Sequence, residues 1–460
     1  MTAPEATPPL DHADRAFLGH PKGLGYLAFT EAFERFSYYS MQSLLVLYMV
    51  KYLLLPGHIE NIAGFALFSR LYGGITGQPL ASAIFGTYTA FVYATPILGG
   101  LLADGWLGRR RTIMVGAITM SIGHFLMAFE ASFLLALLCL ILGNGCFKGN
   151  IASQVGALYK PGDNRRADAF QIFYLAINAG VIAAPLIAGT LGEDIGWHWG
   201  FGAAGVGMLI GLAIFLIGGR HLPPEENAKR AARADRPKLE RRDWTAVIAL
   251  ILLIPVMAVA LLTNQEIFNA YLVWGDQQFD LNFFGRRLPT TWLITLDSIV
   301  SVAFLALVAL FWRWWGKHHW EPDELGKIVI GSVFTAGGGL CLVAAAAFQM
   351  PGEKIGPFWP VAFHVLNSIG FAHILPVSLA LFAKVAPKAI NATVIGLYYL
   401  AFFAGNALVG WIGGLYSSLP TTTFWLIHVA SAVGSGFVFY LFKIFLSHQL
   451  KEGKPAPLPA

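Results

Sequence analysis

Arg220-His-Leu-Pro-Pro-Glu-Glu-Asn-Ala-Lys-Arg-Ala-Ala-Arg-Ala-Asp-Arg-Pro-Lys-Leu-Glu-Arg-Arg-Asp243 is the longest charged stretch of the chain, and its position decides the fold. On both sides of it lie apolar runs long enough to cross a bilayer, which takes about 20 residues for a hydrocarbon layer of roughly 30 Å. Twelve such runs can be drawn, at about 24–54, 81–104, 110–130, 132–158, 168–192, 198–218, 244–276, 290–316, 326–350, 358–385, 389–417 and 423–446. Six precede the charged stretch and six follow it. The expected architecture is an all-α membrane protein with 12 transmembrane helices in two six-helix bundles. Its expected parts are an N-terminal segment over 1–23, a bundle over 24–218, a linker over 219–243, a second bundle over 244–446 and a tail over 447–460.

The composition agrees with that plan. Of 460 residues, 56% are hydrophobic and 12% charged, about half the share of charge in a soluble domain, so lipid must cover much of the surface. Lys and Arg flanking a span are retained in the cytoplasm. With the N-terminus inside, 24 of the 31 Lys and Arg fall in cytoplasmic segments and five outside, which places both termini in the cytoplasm of a cell whose inner membrane the chain spans. The mild basic excess then reflects anchored loops, and nucleic acid is not an expected partner. Cys139, Cys146 and Cys341 lie in apolar runs and form neither a disulfide framework nor a metal cluster. Residues 1–20 lack an uninterrupted apolar core, so no cleavable signal peptide is expected. Two bundles joined by a cytoplasmic linker is the plan of secondary transporters, whose substrate site lies near the midplane between the halves. A pore or a membrane-embedded enzyme shares the helix count. No nucleophile is placed with a partner base, however, so an enzyme is not expected.

Arg35 and Lys148 are the two cations left inside spans. An ionised side chain at a helix centre costs about 2.5–3.5 kcal/mol on insertion scales, so such residues mark functional cavities. The first span reads Glu31-Ala-Phe-Glu34-Arg35-Phe-Ser-Tyr38-Tyr39. Positions 31, 34, 35, 38 and 39 follow helical spacing and share one face. Two acids, a guanidinium and two phenols thus form a polar stripe that must look into a wet cavity. Lys148 lies in the fourth span within Gly143-Asn-Gly-Cys-Phe-Lys148-Gly-Asn150. With Arg35 it can neutralise a carboxylate, the guanidinium as a fork and the ammonium as a point charge. In the second half, Glu266 follows Asn264 and Gln265 in the seventh span, and Asp297 lies in the eighth. Either acid can hold an ammonium opposite the Arg35 and Lys148 pole, which suits a zwitterion. Asp276, near an outer helix end, reads as solvated. His364 and His373, nine residues apart in the tenth span, point in nearly opposite directions and read as core hydrogen-bonding groups rather than a metal pair.

On these residues the chain resembles the proton-dependent oligopeptide transporter (POT/PTR) family of the major facilitator superfamily. The first-span stripe matches the family motif E-x-x-E-R-F-x-Y-Y at every fixed position. Phe173-Tyr174-Leu-Ala-Ile177-Asn178-Ala-Gly180 matches F-Y-x-x-I-N-x-G. Gly100-Leu-Leu-Ala-Asp104-Gly-Trp-Leu-Gly108-Arg109-Arg110-Arg111 is similar to the superfamily's cytoplasmic loop motif, in which Asp104 with Arg109 and Arg110 is expected to form a latch favouring one conformer.

The resemblance implies proton-coupled symport of di- and tripeptides into the cytoplasm by alternating access. It implies that Glu31, Glu34 and Arg35 couple protons, that Arg35 and Lys148 receive the peptide carboxylate, and that Tyr38, Tyr39 and Asn178 contact the peptide. No cofactor beyond the coupling proton is implied. The expected partners are small peptides, protons and membrane lipid, and the expected state is a monomer. Four positions depart from the family pattern. Ser40 replaces a glycine, Gly149 replaces a proline, the linker lacks room for two extra helices found in many bacterial members, and Phe371 stands where the tenth span normally carries a Glu. That Glu is thought to bind the peptide amino terminus. Because Asp297 stands where the family usually has Asn, the acid is expected to have been relocated to Asp297 or to Glu266. The alternative is a proton-coupled carrier of another small anion or zwitterion, such as an amino-acid derivative or nitrate, or a receptor that does not transport.

Overall fold

The computed structural model describes residues 14–160, 162–223, 241–283, 285–387 and 390–451. The expected linker falls mostly outside the described residues, as do much of the N-terminal segment and the end of the tail. Each of the twelve apolar runs coincides with helix. The long helices are α1 (Lys22–Tyr48), α2 (Gly77–Ala94), α3 (Arg109–Leu126), α4 (Phe133–Ala157), α5 (Arg165–Ala184), α6 (Trp197–Ile217), α7 (Arg241–Ala260), α8 (Trp292–His318), α9 (Glu324–Phe348), α10 (Phe358–Val385), α11 (Asn391–Gly413) and α12 (Thr421–Lys451). Among the described residues nine helical spans are long and apolar enough to cross a membrane. The three outside that set have visible reasons: α1 carries Glu31, Glu34 and Arg35, α3 opens on three arginines, and α7 stops short.

The ends and breaks of these helices follow from sequence. Pro96 occupies the first position of a second helical piece, Pro96–Leu102, which prolongs α2 after Thr95, where a missing N–H costs nothing. A π-helical turn, Ala103–Leu107, and Gly108 at φ +77° then redirect the chain into α3, a backbone conformation open to glycine. The seventh span was expected to run unbroken over 244–276. Instead it stops at Ala260, resumes as Leu262–Glu266, and restarts as Ala270–Gln278. Such a break frees backbone N–H groups, which within a bilayer must find partners in the protein. The Glu266 carboxylate supplies one, because its Oε1 accepts the Ala270 N–H at 3.1 Å. At the start of α8 the Glu193 carboxylate accepts the N–H groups of Thr290 and Thr291 at 2.9 and 2.8 Å. Asp276 is likewise not merely solvated: its Oδ1 accepts from Arg287 Nη2 at 2.8 Å, across the connection that holds the hairpin Asn282–Phe283 and Arg286–Arg287.

Two compact units are formed. One gathers the described residues of Met1–Gly77, Phe91–Ala234 and Leu288–Thr295; the other gathers those of Gln78–Ala90, Asp235–Arg287 and Leu296–Ala460. In the first, α1 packs on α5 and α6, and α3 on α4; in the second, α9 packs on α10 and α12, and α7 on α11 and α12. Small residues set the closest approaches. A Cβ on Gly145 would stand 2.6 Å from the Thr95 Cβ, and one on Gly180 would stand 3.0 Å from the Phe36 nitrogen and 3.1 Å from the Arg35 Cβ, with the Ala32 carbonyl oxygen closer still. The glycine that ends the F-Y-x-x-I-N-x-G stretch therefore lets α5 lie against the backbone of α1 at Arg35. Gly180→Val should destabilise the protein by about 1–3 kcal/mol through overpacking and lower its Tm in detergent. Gly100→Ala, where a Cβ meets nothing within 4 Å, should leave Tm unchanged.

Candidate functional site

In the first unit the α1 stripe forms a compact ion cluster. Arg35 Nε stands 3.2 Å from Glu31 Oε1 and 2.5 Å from Glu34 Oε2. Asn144, on α4, donates to Glu34 Oε1 at 3.1 Å. Its position follows from its neighbours: Gly143 packs against α3 and Gly145 against Thr95, so the helix approaches closely enough for the intervening amide to reach Glu34. All three ions are buried, with Glu34 at 0% exposure. Charged groups so placed require both pairing and hydrogen bonds.

Tyr38 links this cluster to Lys148. The Arg35 guanidinium carbon lies 5.3 Å from the Tyr38 ring centre and the Lys148 ammonium 5.7 Å from it. Lys148 also stands 4.2 Å over the ring of Tyr93, on α2. Among the described residues no carboxylate comes within ion-pair distance of Lys148, so its charge is met by ring faces, a weaker partner than an anion. Tyr39 packs edge-on to Tyr38, with centroids 5.2 Å apart. Two carboxylates, a guanidinium and an ammonium thus converge around one phenol, and their formal charges sum to zero. Glu31 Oε2 and Arg35 Nη2 are buried and make no protein hydrogen bond among the described residues. A group with both donors and acceptors, such as a substrate carboxyl with its solvating water, fits that arrangement. Asn178 is not brought into the cluster; its amide donates to the Tyr174 carbonyl oxygen of its own helix at 2.8 Å. The Asp104 and Arg109 latch is loose, at 3.9 Å between two largely exposed side chains, a pairing that contributes little to stability.

The acids of the second unit differ sharply from each other. Glu266 commits one carboxylate oxygen to its own chain. It is 0% exposed, and Oε1 accepts from Asn269 Nδ2 and the Ala270 N–H, both at 3.1 Å. Oε2 lies 3.6 Å from His428 Nε2. Asn269 in turn bonds the Val409 carbonyl oxygen and the Ser82 hydroxyl. Glu266 Oε1 thus holds the broken seventh span, while Oε2 is buried without a hydrogen-bond partner among the described residues. Asp297 keeps 11% of its side chain exposed, and its Oδ1 lies 2.9 Å from His364 Nδ1. His364 Nε2 is 2.9 Å from the Tyr271 hydroxyl. One turn further along both helices, Ser301 and Ser368 share a hydrogen bond of 3.0 Å. Two polar rungs therefore tie α8 to α10.

Asn144, Tyr93, His428 and Asn269 are the residues that reading the sequence missed. Asn144 had a signal, since it precedes Lys148 by four residues and so shares its helix face. Tyr93, Asn269 and His428 had none. His364 was read as a core hydrogen-bonding group, but its partner is the acid singled out in the eighth span.

Helical spans around buried ions define a polytopic transporter fold of the major facilitator type. A sequence model described as the POT family matches residues 110–234. The chain is 29% identical to the peptide transporter YePEPT of Yersinia enterocolitica subsp. palearctica, over 87% of this chain and 89% of that one. It is 27% identical to a di-/tripeptide transporter of Lactococcus lactis subsp. cremoris, over 94% and 97% of the two chains. It superposes on a crystal structure of the peptide transporter POT in complex with sulfate with a TM-score of 0.82 at 26% identity, covering 97% of this chain and 98% of that one. A mutant of that transporter in complex with alafosfalin gives 0.82 at 27% identity, over 95% and 97% of the chains. The chain is similar to transporters of the POT family.

If Glu266 caps the restarted helix, Glu266→Ala should lower Tm by the equivalent of about 1–3 kcal/mol, the cost of leaving buried donors unpaired. Glu266→Gln, which retains an acceptor oxygen, should lower it less. Equal losses, read by thermal unfolding in detergent, would show that charge and not capping is what matters.

Proposed function

We propose that this protein is a proton-coupled symporter of di- and tripeptides, multi-pass in the inner membrane with both termini in the cytoplasm, acting as a monomer and using no cofactor beyond the coupling proton. The observation that carries the reading is the balanced cluster of Glu31, Glu34, Arg35 and Lys148 around Tyr38. With both acids ionised it is neutral. One proton on Glu31 or Glu34 leaves it with a charge of +1 and loosens the hold on Arg35, so the guanidinium and Lys148 attract a peptide carboxylate. The carboxylate restores neutrality. Proton and peptide then favour each other's binding, which symport demands, because a ligand indifferent to two conformations shifts neither. The driving energy is about 2.3 kcal/mol per charge per 100 mV, with the pH difference added. The named activities of the Yersinia and Lactococcus relatives support peptides as the substrate class.

The substrate ammonium is assigned to Asp297. Glu266 is closed off, Phe371 carries no charge, and the Asp297 side chain is the one acid named for this role that is partly exposed. A carrier for another small zwitterion is the second reading, favoured by that same exchange at Phe371.

Glu34→Gln should abolish accumulation of dialanine driven by a pH gradient in proteoliposomes while leaving exchange of dialanine across the membrane. Accumulation at the wild-type level would refute the coupling role. Asp297→Asn should raise the apparent KM for dialanine roughly tenfold or more, as loss of a charge-assisted hydrogen bond requires. A competition panel of dipeptides, tripeptides, free amino acids and nitrate under an imposed pH gradient separates peptides from the other solutes.

A further inference from the structure

α10 carries two buried histidines with different hydrogen-bond logic. His373 Nδ1 faces the Ile369 carbonyl oxygen at 2.8 Å, and its Nε2 accepts from Trp312 Nε1 at 3.0 Å. An indole N–H can only donate. His373 is thereby fixed as a neutral ring, because a proton on Nε2 would oppose the Trp312 donor. His364 meets a carboxylate at one nitrogen and a hydroxyl at the other, and a hydroxyl can reverse its role. Only His364 can therefore gain a proton without losing a partner.

We propose that His364 is a second proton-binding residue, and that its protonation decides whether the Asp297 carboxylate is open to a substrate ammonium; the inference rests on the assignment of Asp297 made above. An ionised carboxylate accepts only, so His364 Nδ1–H donates to Asp297. In the neutral ring the Tyr271 hydroxyl donates to Nε2, and the Asp297–His364 pair carries a charge of −1. A proton arriving at Nε2 turns the hydroxyl into an acceptor and brings the pair to zero. In the first state the carboxylate attracts an ammonium; in the second the imidazolium already satisfies it. Histidine is the side chain whose ordinary titration falls between pH 5 and 8.

The surroundings leave this pair in charge of its own proton. From α8 the ionisable group facing His364 is Asp297, and from the seventh span it is Tyr271. α12 contributes His428, whose Nε2 lies 3.6 Å from Glu266 Oε2; the Trp425 ring touches both His428 and Tyr271, at 5.1 and 6.2 Å between ring centres. The charged groups of α9 are engaged elsewhere, Lys327 with Glu321 and Glu324 with Lys384. Phe279, Phe363 and Trp425 pack around Tyr271, and among the described residues its hydroxyl has no second hydrogen-bond partner. His364 and Phe371 lie seven residues apart on one helix face, so the imidazole shares the face from which the family's acid is missing.

The test compares dialanine with N-acetyl-dialanine, which keeps the carboxylate and lacks the ammonium, in uptake by full-length protein in proteoliposomes from pH 5.5 to 8. The wild type should prefer dialanine increasingly as pH rises, by roughly fivefold to tenfold, the worth of one charge-assisted hydrogen bond. His364→Gln, which can still donate to Asp297 but takes no proton, should show a preference independent of pH. Tyr271→Phe, which removes the donor to Nε2, should move the profile to higher pH, and it serves where His364→Gln does not fold. A flat wild-type profile, or a wild-type profile in His364→Gln or Tyr271→Phe, overturns the inference. Asp297→Asn distinguishes the two failures. An unchanged KM for dialanine defeats the assignment of the ammonium to Asp297, whereas a raised KM beside an unaltered His364→Gln profile defeats the role of His364 alone.

Discussion

The contact between Arg35 and the paired carboxylates of Glu31 and Glu34 is what the rest of the first unit is arranged around. Three ions buried on one helix are tolerable only if each is met by opposite charge and hydrogen bonds, and each nearby feature serves that requirement. Gly180 lets α5 lie on the backbone of α1 at Arg35, and Gly143 and Gly145 bring Asn144 to Glu34. Tyr38 offers its ring to both cations. Packing and electrostatics are therefore one constraint: a methyl group at Gly180 would spread the helices that keep the charges balanced.

The second unit meets the same demand with fewer charges. Glu266 is used as backbone is used, to complete the hydrogen bonding of a broken helix, and Asn269 holds it there. Asp297 is held by an imidazole instead of a fixed cation. A guanidinium stays charged at any physiological pH, so a carboxylate paired with Arg changes its hold only when the acid itself takes a proton. A carboxylate paired with His can change its net charge through its partner. The rung from Ser301 to Ser368 keeps α8 and α10 in register, so a change of protonation at the neighbouring rung need not break their contact.

Much of the fold was legible because membrane helices announce themselves by length and apolarity, and the stripe was legible because helical periodicity turns five positions into one face. The hidden parts have physical causes. In residues 244–276 the break coincides with the polar run Thr263 to Glu266 and Asn269, but polar residues in a span mark a cavity lining as readily as a broken helix. The placing of Glu266 was missed for the same reason: an acid beside Asn264 and Gln265 reads equally well as a cavity lining or as a cap, and only the position of the Ala270 N–H separates them. Asn178 matched its motif and yet bonds its own helix, because spacing fixes the face a residue occupies and not the rotamer it adopts. The partner of His364 was invisible because a contact across α8 and α10 leaves no periodicity along either one.

Phe371 stands on α10 where the resemblance implies an acid. An acid removed from one helix and gained on another keeps the number of negative charges constant, but it changes what the charge leans on. At position 371 an acid would project from the same face as His364, two turns away along α10. At position 297 it stands across from that histidine on α8, within a single hydrogen bond of it. On the reading proposed here, the move trades a carboxylate that answers only to its own protonation for one governed by an imidazole. Substrate recognition at the amine then acquires a dependence on pH of its own, additional to that of the α1 cluster. On that reading the second unit keeps a charge although Phe371 carries none, and the cost of keeping Asp297 in a buried setting is met by a partner that is itself able to carry a proton.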